Sequence, residues 1–213
     1  MLAAFAVALL ADLASLLLDL RAGHLVAKPL LMPLLAGYAV ARRAPRALVA
    51  ALLFGWGGDV LLLSDADWAF LAGMASFAAG HVCYLLLFGR ARSSAPLALV
   101  YLIALAGTVT LLWPGLPADL RIPVAGYATL LTAMAYRASS AGAVAGAGGF
   151  LFLLSDTLIA GGVADWPRPP VPDFWVMLTY GLAQFLLAAG TLGHAGARTR
   201  AYGESRGGTR TPV

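Results

Sequence analysis

Long apolar runs alternate with short polar breaks along almost the whole chain. A helix needs about 20 mostly apolar residues to cross a bilayer. Eight runs meet or approach that length, at 2–20, 24–41, 46–63, 68–88, 95–112, 120–137, 141–161 and 173–194. The breaks carry charge, proline and glycine, as at Arg42, Arg43, Pro45 and Arg46, or at Pro167, Arg168, Pro169 and Pro170. The pattern predicts an all-α, polytopic integral membrane protein. Its transmembrane helical domain, a bundle of about eight helices, spans 1–194. From 195 to 213 the chain turns to Arg, Gly, Thr and Pro, which predicts a basic, disordered cytoplasmic tail.

Composition agrees with that reading. Hydrophobic residues make up 61% of the 213 positions and charged residues only 11%, against about a quarter in a soluble domain. The first run lacks a basic leader and is interrupted by Asp12 and Asp19, so it reads as a first span rather than a cleaved signal. The net charge of +4 could suggest nucleic acid, but the basic residues sit in short connections with no aromatic interleaving, so no nucleic-acid partner is expected. Lone Cys83 lies inside an apolar run and reads as a small packing residue.

Arginines also orient the bundle. Arg42, Arg43, Arg46, Arg90, Arg92, Arg137, Arg198, Arg200, Arg206 and Arg210 fall in alternate connections and the tail. By the positive-inside rule both termini are expected in the cytoplasm, with the protein multi-pass in the cell membrane, a bacterial inner membrane. A weak internal repeat fits two four-helix halves. Asp59 in the third run precedes Asp67-Trp68, and Asp156 in the seventh precedes Asp165-Trp166.

Ionisable residues inside spans are costly and mark partners or cavities. Five qualify: Asp12, Asp19, Lys28, Asp59 and Asp156. Lys28 is the only lysine among 14 basic residues, and a lysine is a compact point charge that burial perturbs readily. Asp59 and Asp156 each lie about five residues from the outer end of a span, about 7 Å deep. With Lys28 at similar depth, one carboxylate could stay ionised while the other holds a proton, as general acid–base chemistry requires. The plainer alternative is an interhelical ion pair. Asp19 reads best as a helix-end partner for Arg21.

His81 and Tyr84 share one helix face at i and i+3, and Tyr180 and Gln184 share another at i and i+4. They are either polar groups bonded across helices or parts of a site. Counted from the outer ends, His81 lies about 10 Å deeper than the aspartates. There is no GxSxG, HExxH, P-loop or GxGxxG pattern, and the three His residues are far apart. No metal or other cofactor is therefore expected.

These residues in this order resemble the YhhN family of eight-span membrane proteins, which includes the lysoplasmalogenases. The resemblance rests on Lys28-Pro29-Leu30, Gly58-Asp59, Phe77 with Gly80, His81 and Tyr84, Ser155-Asp156, and Tyr180 with Gln184. It implies hydrolysis of the vinyl-ether bond of a lysoplasmalogen or related lysolipid. The products would be a fatty aldehyde and a glycerophospho-head group of the ethanolamine or choline type. The implied partners are a lysophospholipid substrate and the surrounding membrane lipids. In that reading Asp59, Asp156 and His81 are catalytic, the two aspartates dividing the acid and base roles. Lys28, Tyr84, Tyr180 and Gln184 hold substrate, and His81 with Tyr84 orients water or the glycerol. A proton-coupled lipid or small-solute transporter or flippase would also carry membrane carboxylates and an amine. A non-catalytic assembly protein would use them only to lock helices together.

Overall fold

The computed structural model describes residues 1–64, 66–89 and 94–207, with the side chains of Asp67 and of residues 194 onward left aside. Among the described residues the chain is helical throughout, in eight elements: α1 Leu2–Leu17, α2 Arg21–Ala41, α3 Arg46–Leu61, α4 Asp67–Phe88, α5 Ala95–Leu112, α6 Arg121–Ser140, α7 Ala143–Val163 and α8 Pro172–Gly207. Each coincides with one expected run. Where a disordered tail was expected over 195–213, α8 continues as helix to Gly207; 208–213 lie outside the described residues. Five helices, α2, α4, α5, α7 and the first part of α8, are long and apolar enough to cross a membrane by themselves. α1 is apolar but shorter, and α3 and α6 pack in the same bundle. The protein is a multi-pass membrane protein.

Local chemistry sets the helix ends. Pro45 precedes the first residue of α3 and Pro96 occupies the first turn of α5, where a missing N–H costs nothing. Gly89 ends α4 with φ +65 and ψ −147, a positive-φ conformation confined essentially to glycine. Asp19 takes φ 54 between α1 and α2, a conformation that Asp tolerates better than most residues. That places Asp19 exposed in a turn rather than inside a span. Pro29 and Pro33 lie within α2 without interrupting it; neighbouring helices and local adjustment make such prolines tolerable in a bilayer.

α1 packs on α2, α3 on α4, and α7 on α8, while α6 lies against α7 and α4. α8 closes the bundle by touching α1, α2 and α3. The pairing echoes the two halves, since α8 on α2 corresponds to α4 on α6. α5 is peripheral, held by α6 and slightly by α7, with Leu99, Val100, Leu102 and Ile103 all exposed. Such apolar surface belongs in lipid. Small residues bring α7 and α8 close: a Cβ on Gly148 would stand 2.8 Å from the Leu187 nitrogen, and one on Gly190 would stand 2.6 Å from that of Ala145. Backbone proximity of this kind is how membrane helices gain contact.

Candidate active site

Two carboxylates lie within the bundle, Asp59 on α3 and Asp156 on α7. Asp59, near the end of α3, is 2% exposed. Its Oδ2 accepts a 2.8 Å hydrogen bond from the Tyr180 hydroxyl of α8. One turn on, Gln184 Nε2 donates to the Tyr180 oxygen at 3.4 Å, and Gln184 Oε1 accepts from the Tyr84 hydroxyl of α4 at 2.7 Å. The result is a continuous chain, Tyr84–Gln184–Tyr180–Asp59, joining α4, α8 and α3. Gly55 makes room for it, because a Cβ there would stand 2.9 Å from Gln184 Nε2 and 3.1 Å from the Tyr180 oxygen.

Asp156, in α7, has a different partner. Its Oδ2 accepts a short hydrogen bond from the hydroxyl of Tyr127 in α6. His81 Nε2 of α4 lies 3.0 Å from the same hydroxyl. Tyr127 has one proton, and giving it to Asp156 leaves its oxygen to accept from the imidazole. That arrangement puts the ring proton on Nε2 and leaves Nδ1 a buried acceptor, and Nδ1 has no partner among the described residues. Ser155 fixes the register beside Asp156 by donating to the Val176 carbonyl of α8 at 3.2 Å.

An aromatic layer separates the two chains. Phe152 meets Tyr180 edge to face at 5.4 Å and His81 at 4.7 Å, and Phe77 meets Tyr180 at 5.8 Å. Phe152 therefore touches both networks. Access differs sharply between them. Asp156 and Tyr127 line two apolar grooves, one between α5, α6 and α7, the other between α4, α6 and α7. Asp59 lines neither.

All seven residues expected at the site lie in the bundle, but they fall into separate groups. His81 and Tyr84, expected to work together from one face, join different chains. The 10 Å depth gap between His81 and the aspartates closes at Asp156. A helical Cβ leans toward its own helix N-terminus, so on antiparallel α4 and α7 these two side chains lean toward each other, and Tyr127 spans the rest. Lys28 is half-buried and within electrostatic range of Asp59; among the described residues it makes no ion pair. Asp12 is fully buried and bonded to His24 Nδ1 at 2.8 Å, a histidine to which the sequence pattern gave no role. Tyr127 was missed as well. Its signal was a hydroxyl six residues into an apolar span, at nearly the same count from the bundle end as Asp156. Among the described residues no three His, Cys, Asp or Glu side chains converge as metal ligands do.

Known proteins resemble this chain. The sequence model of the YhhN family matches residues 23–191, a stretch that includes every member of both networks. The human lysoplasmalogenase TMEM86B (Homo sapiens) is 35% identical over 145 residues, covering 68% of this chain and 63% of that protein. Its pig counterpart (Sus scrofa) is 37% identical over 141 residues, 66% of this chain and 61% of the relative. A lysoplasmalogenase of Mycobacterium tuberculosis is 33% identical over 189 residues, 79% and 71% of the two chains. The chain thus spans a little under two thirds of the human and pig proteins. No solved structure matches it.

Proposed function

Because the chain belongs to the YhhN family, we propose that it is a membrane-embedded hydrolase cleaving the vinyl-ether bond of a lysoplasmalogen or a closely related lysolipid. The observation that carries this reading is a half-buried intramembrane carboxylate, Asp156, held by a tyrosine at the shared wall of two apolar grooves. Vinyl-ether hydrolysis needs a proton donor beside an apolar chain, an anion near the developing cation, and water. Asp156 is the donor. Tyr127 occupies its Oδ2, leaving Oδ1 to carry the proton. Delivery to the outer vinyl carbon uses the π electrons to form a C–H bond, and the ether carbon is left as an oxocarbenium ion stabilised by a lone pair of the ether oxygen. The Asp156 carboxylate, steadied by Tyr127 and through it by His81, then faces that cation. Water adds to the ether carbon and gives its proton back to Asp156. The resulting hemiacetal collapses to fatty aldehyde and the glycerol hydroxyl. Asp59, across the Phe152 layer, adds a second negative charge that favours the cation, and Lys28 moderates it. Tyr84, Tyr180 and Gln184 hold Asp59 in place. We further propose that the protein lies in the cell membrane with both termini in the cytoplasm, on the arginine distribution.

Purified protein in detergent, given a lysoplasmalogen and separately the matching acyl lysophospholipid, should release aldehyde from the first alone. Asp156→Asn should lower kcat by about 10³-fold, within the range of general acid catalysis, while the protein stays folded. Asp59→Asn should lower it less, by about 10²-fold, as loss of one electrostatic stabiliser does. Full activity in both variants would sink the assignment. No product from either lipid with folded protein would move the reading to a carrier, tested next by transport in proteoliposomes.

A further inference from the structure

The two grooves that meet at Asp156 differ in charge. Apart from Tyr127 and Asp156 themselves, the groove between α4, α6 and α7 is lined by apolar side chains. The groove between α5, α6 and α7 also carries a cation, Arg121. The hydrolytic scheme gives Arg121 no role, and neither does the helix that it begins. Arg121 is the first residue of α6, where the helix dipole disfavours positive charge. No acidic residue stands in that turn to offset it.

Arg121 is nevertheless held in place. Its Nε donates to the Leu116 carbonyl at 3.2 Å, and its guanidinium carbon lies 5.9 Å from the centroid of the Trp113 ring. The turn between α5 and α6 supplies both partners and is itself fastened to the end of α7. Gly115 leaves no room for a Cβ against the Ala164 carbonyl, and Leu112, Leu116, Val124 and Ala164 form a small buried core there. Only Nε is engaged among the described residues. The two terminal nitrogens keep their N–H groups for an acceptor, and a fork of this kind matches the oxygens of a phosphate.

The spacing fits one ligand geometry. Tyr127, which holds Asp156, lies six residues after Arg121 on α6, about 9 Å along the axis. Both side chains lean toward the N-terminal end of α6, so the offset carries over to the groups themselves. Leu105 and Leu131 continue the groove deeper as an apolar wall. In the lysolipid class proposed above, about seven covalent bonds separate phosphorus from the outer vinyl carbon, a reach of about 8 Å for an extended chain. A phosphate seated on Arg121 therefore lays the vinyl bond beside Asp156 and sends the alkyl tail toward Leu105 and Leu131.

We infer that the groove between α5, α6 and α7 is the one that takes the lysolipid, and that Arg121 anchors its phosphate and so sets which bond lies at Asp156. The inference rests on the hydrolase reading for the identity of that bond. It requires a phosphate and a spacer of the right length, and it is indifferent to what the phosphate carries beyond.

The test compares two cleavable lipids on the full-length protein in maltoside detergent, a 1-alkenyl glycerophosphoethanolamine and the 1-alkenyl glycerol of the same chain. The ratio of their kcat/KM values is the readout. Arg121→Gln should lower that ratio by about 10- to 100-fold, the value of hydrogen bonds to a charged group, mainly through KM of the phosphate-bearing lipid. Arg121→Lys, the milder change for folding, keeps the charge without the fork and should lower the ratio less. A loss shared equally by both lipids would make Arg121 a structural residue, and an unchanged ratio in both variants would overturn the anchor. An analogue with two more methylenes between phosphate and vinyl ether should be cleaved about 10-fold less well, as misplacement of a reacting bond predicts. Cleavage of that analogue at the parent rate would overturn the ruler. Chainless glycerophosphoethanolamine should compete weakly; competition as strong as the lipid's would mark a site for a soluble phosphodiester and overturn the groove assignment. If neither lipid is turned over, the hydrolase reading falls and the anchor is read from binding alone. Native mass spectrometry then compares a saturated 1-alkyl glycerophosphoethanolamine with the matching 1-alkyl glycerol. A preference for the phosphate that vanishes in Arg121→Gln keeps the anchor, and one that persists overturns it.

Discussion

The Asp59 and Asp156 networks begin from the same fragment, an intramembrane carboxylate accepting a tyrosine hydroxyl. The surroundings then diverge. Asp59 is sealed among α3, α4 and α8, and its tyrosine is held in turn by an amide and a second tyrosine. Asp156 stands at the wall of two apolar grooves, and its tyrosine is held by a histidine whose other nitrogen has no partner among the described residues. No member of the Asp59 chain is among the buried atoms left without a partner in the described residues, and such a chain rigidifies a core. One that ends on an open groove and an orphaned acceptor retains capacity to move a proton. Two carboxylates at matching places in α3 and α7 thus stand in one sealed and one open environment, and access to the apolar grooves distinguishes them more than residue type does.

The two tyrosines test that contrast most directly, because the same change is made on each side. Tyr127→Phe removes the donor to Asp156 and cuts His81 from it. kcat should fall by about 10- to 100-fold, the value of a hydrogen bond to a charged group, with KM and thermal midpoint nearly unchanged. A rise in KM at constant kcat would instead make Tyr127 a substrate contact. Tyr180→Phe should show the opposite signature. Removing the interhelical bond to Asp59 should cost roughly 1 kcal/mol of stability, inside the range measured for such bonds in bilayers. Thermal unfolding in detergent should report the loss, and kcat should fall by less than for Tyr127→Phe. If the two phenylalanine variants behave alike, the sealed and open networks do the same work.

Most of the fold was legible because span length and apolar runs are dictated by bilayer thickness, and the eight helices lie where the runs were. The intramembrane Asp59 and Asp156 were legible for the same reason, as charges that a bilayer excludes unless they are used. Their partners were not. Which tyrosine reaches which aspartate depends on helix neighbours, and the placement of α6 between α4 and α7 is a tertiary fact with no one-dimensional trace. Tyr127 therefore passed as one more aromatic in an apolar run. His24 escaped for a related reason: it stands at the start of α2, where a polar residue looks like an end group, and only the packing of α1 against α2 gives it Asp12. Asp19 was readable as a helix-end residue, since Arg21 two positions on already ends the run.

The smallest expected effect probes how tightly the sealed network is built. Gly55→Ala adds a Cβ 2.9 Å from Gln184 Nε2, closer than a settled contact allows. The amide is the end of a flexible side chain, so it should swing aside while the helices stay in place. Gln184 then releases Tyr84 and Tyr180, and the bond from Tyr180 to Asp59 survives. The cost should stay below about 1 kcal/mol, that of one neutral hydrogen bond, and aldehyde release should hardly change. A double-mutant cycle makes the outcome specific. Once Gly55→Ala has displaced Gln184, adding Tyr84→Phe should cost nothing further, because the bond that it removes is already gone. Strict additivity of the two changes would mean that Gln184 keeps Tyr84 despite the methyl group. α3 and α8 would then have moved apart to admit it, and Asp59 would be less firmly enclosed than Asp156 is open.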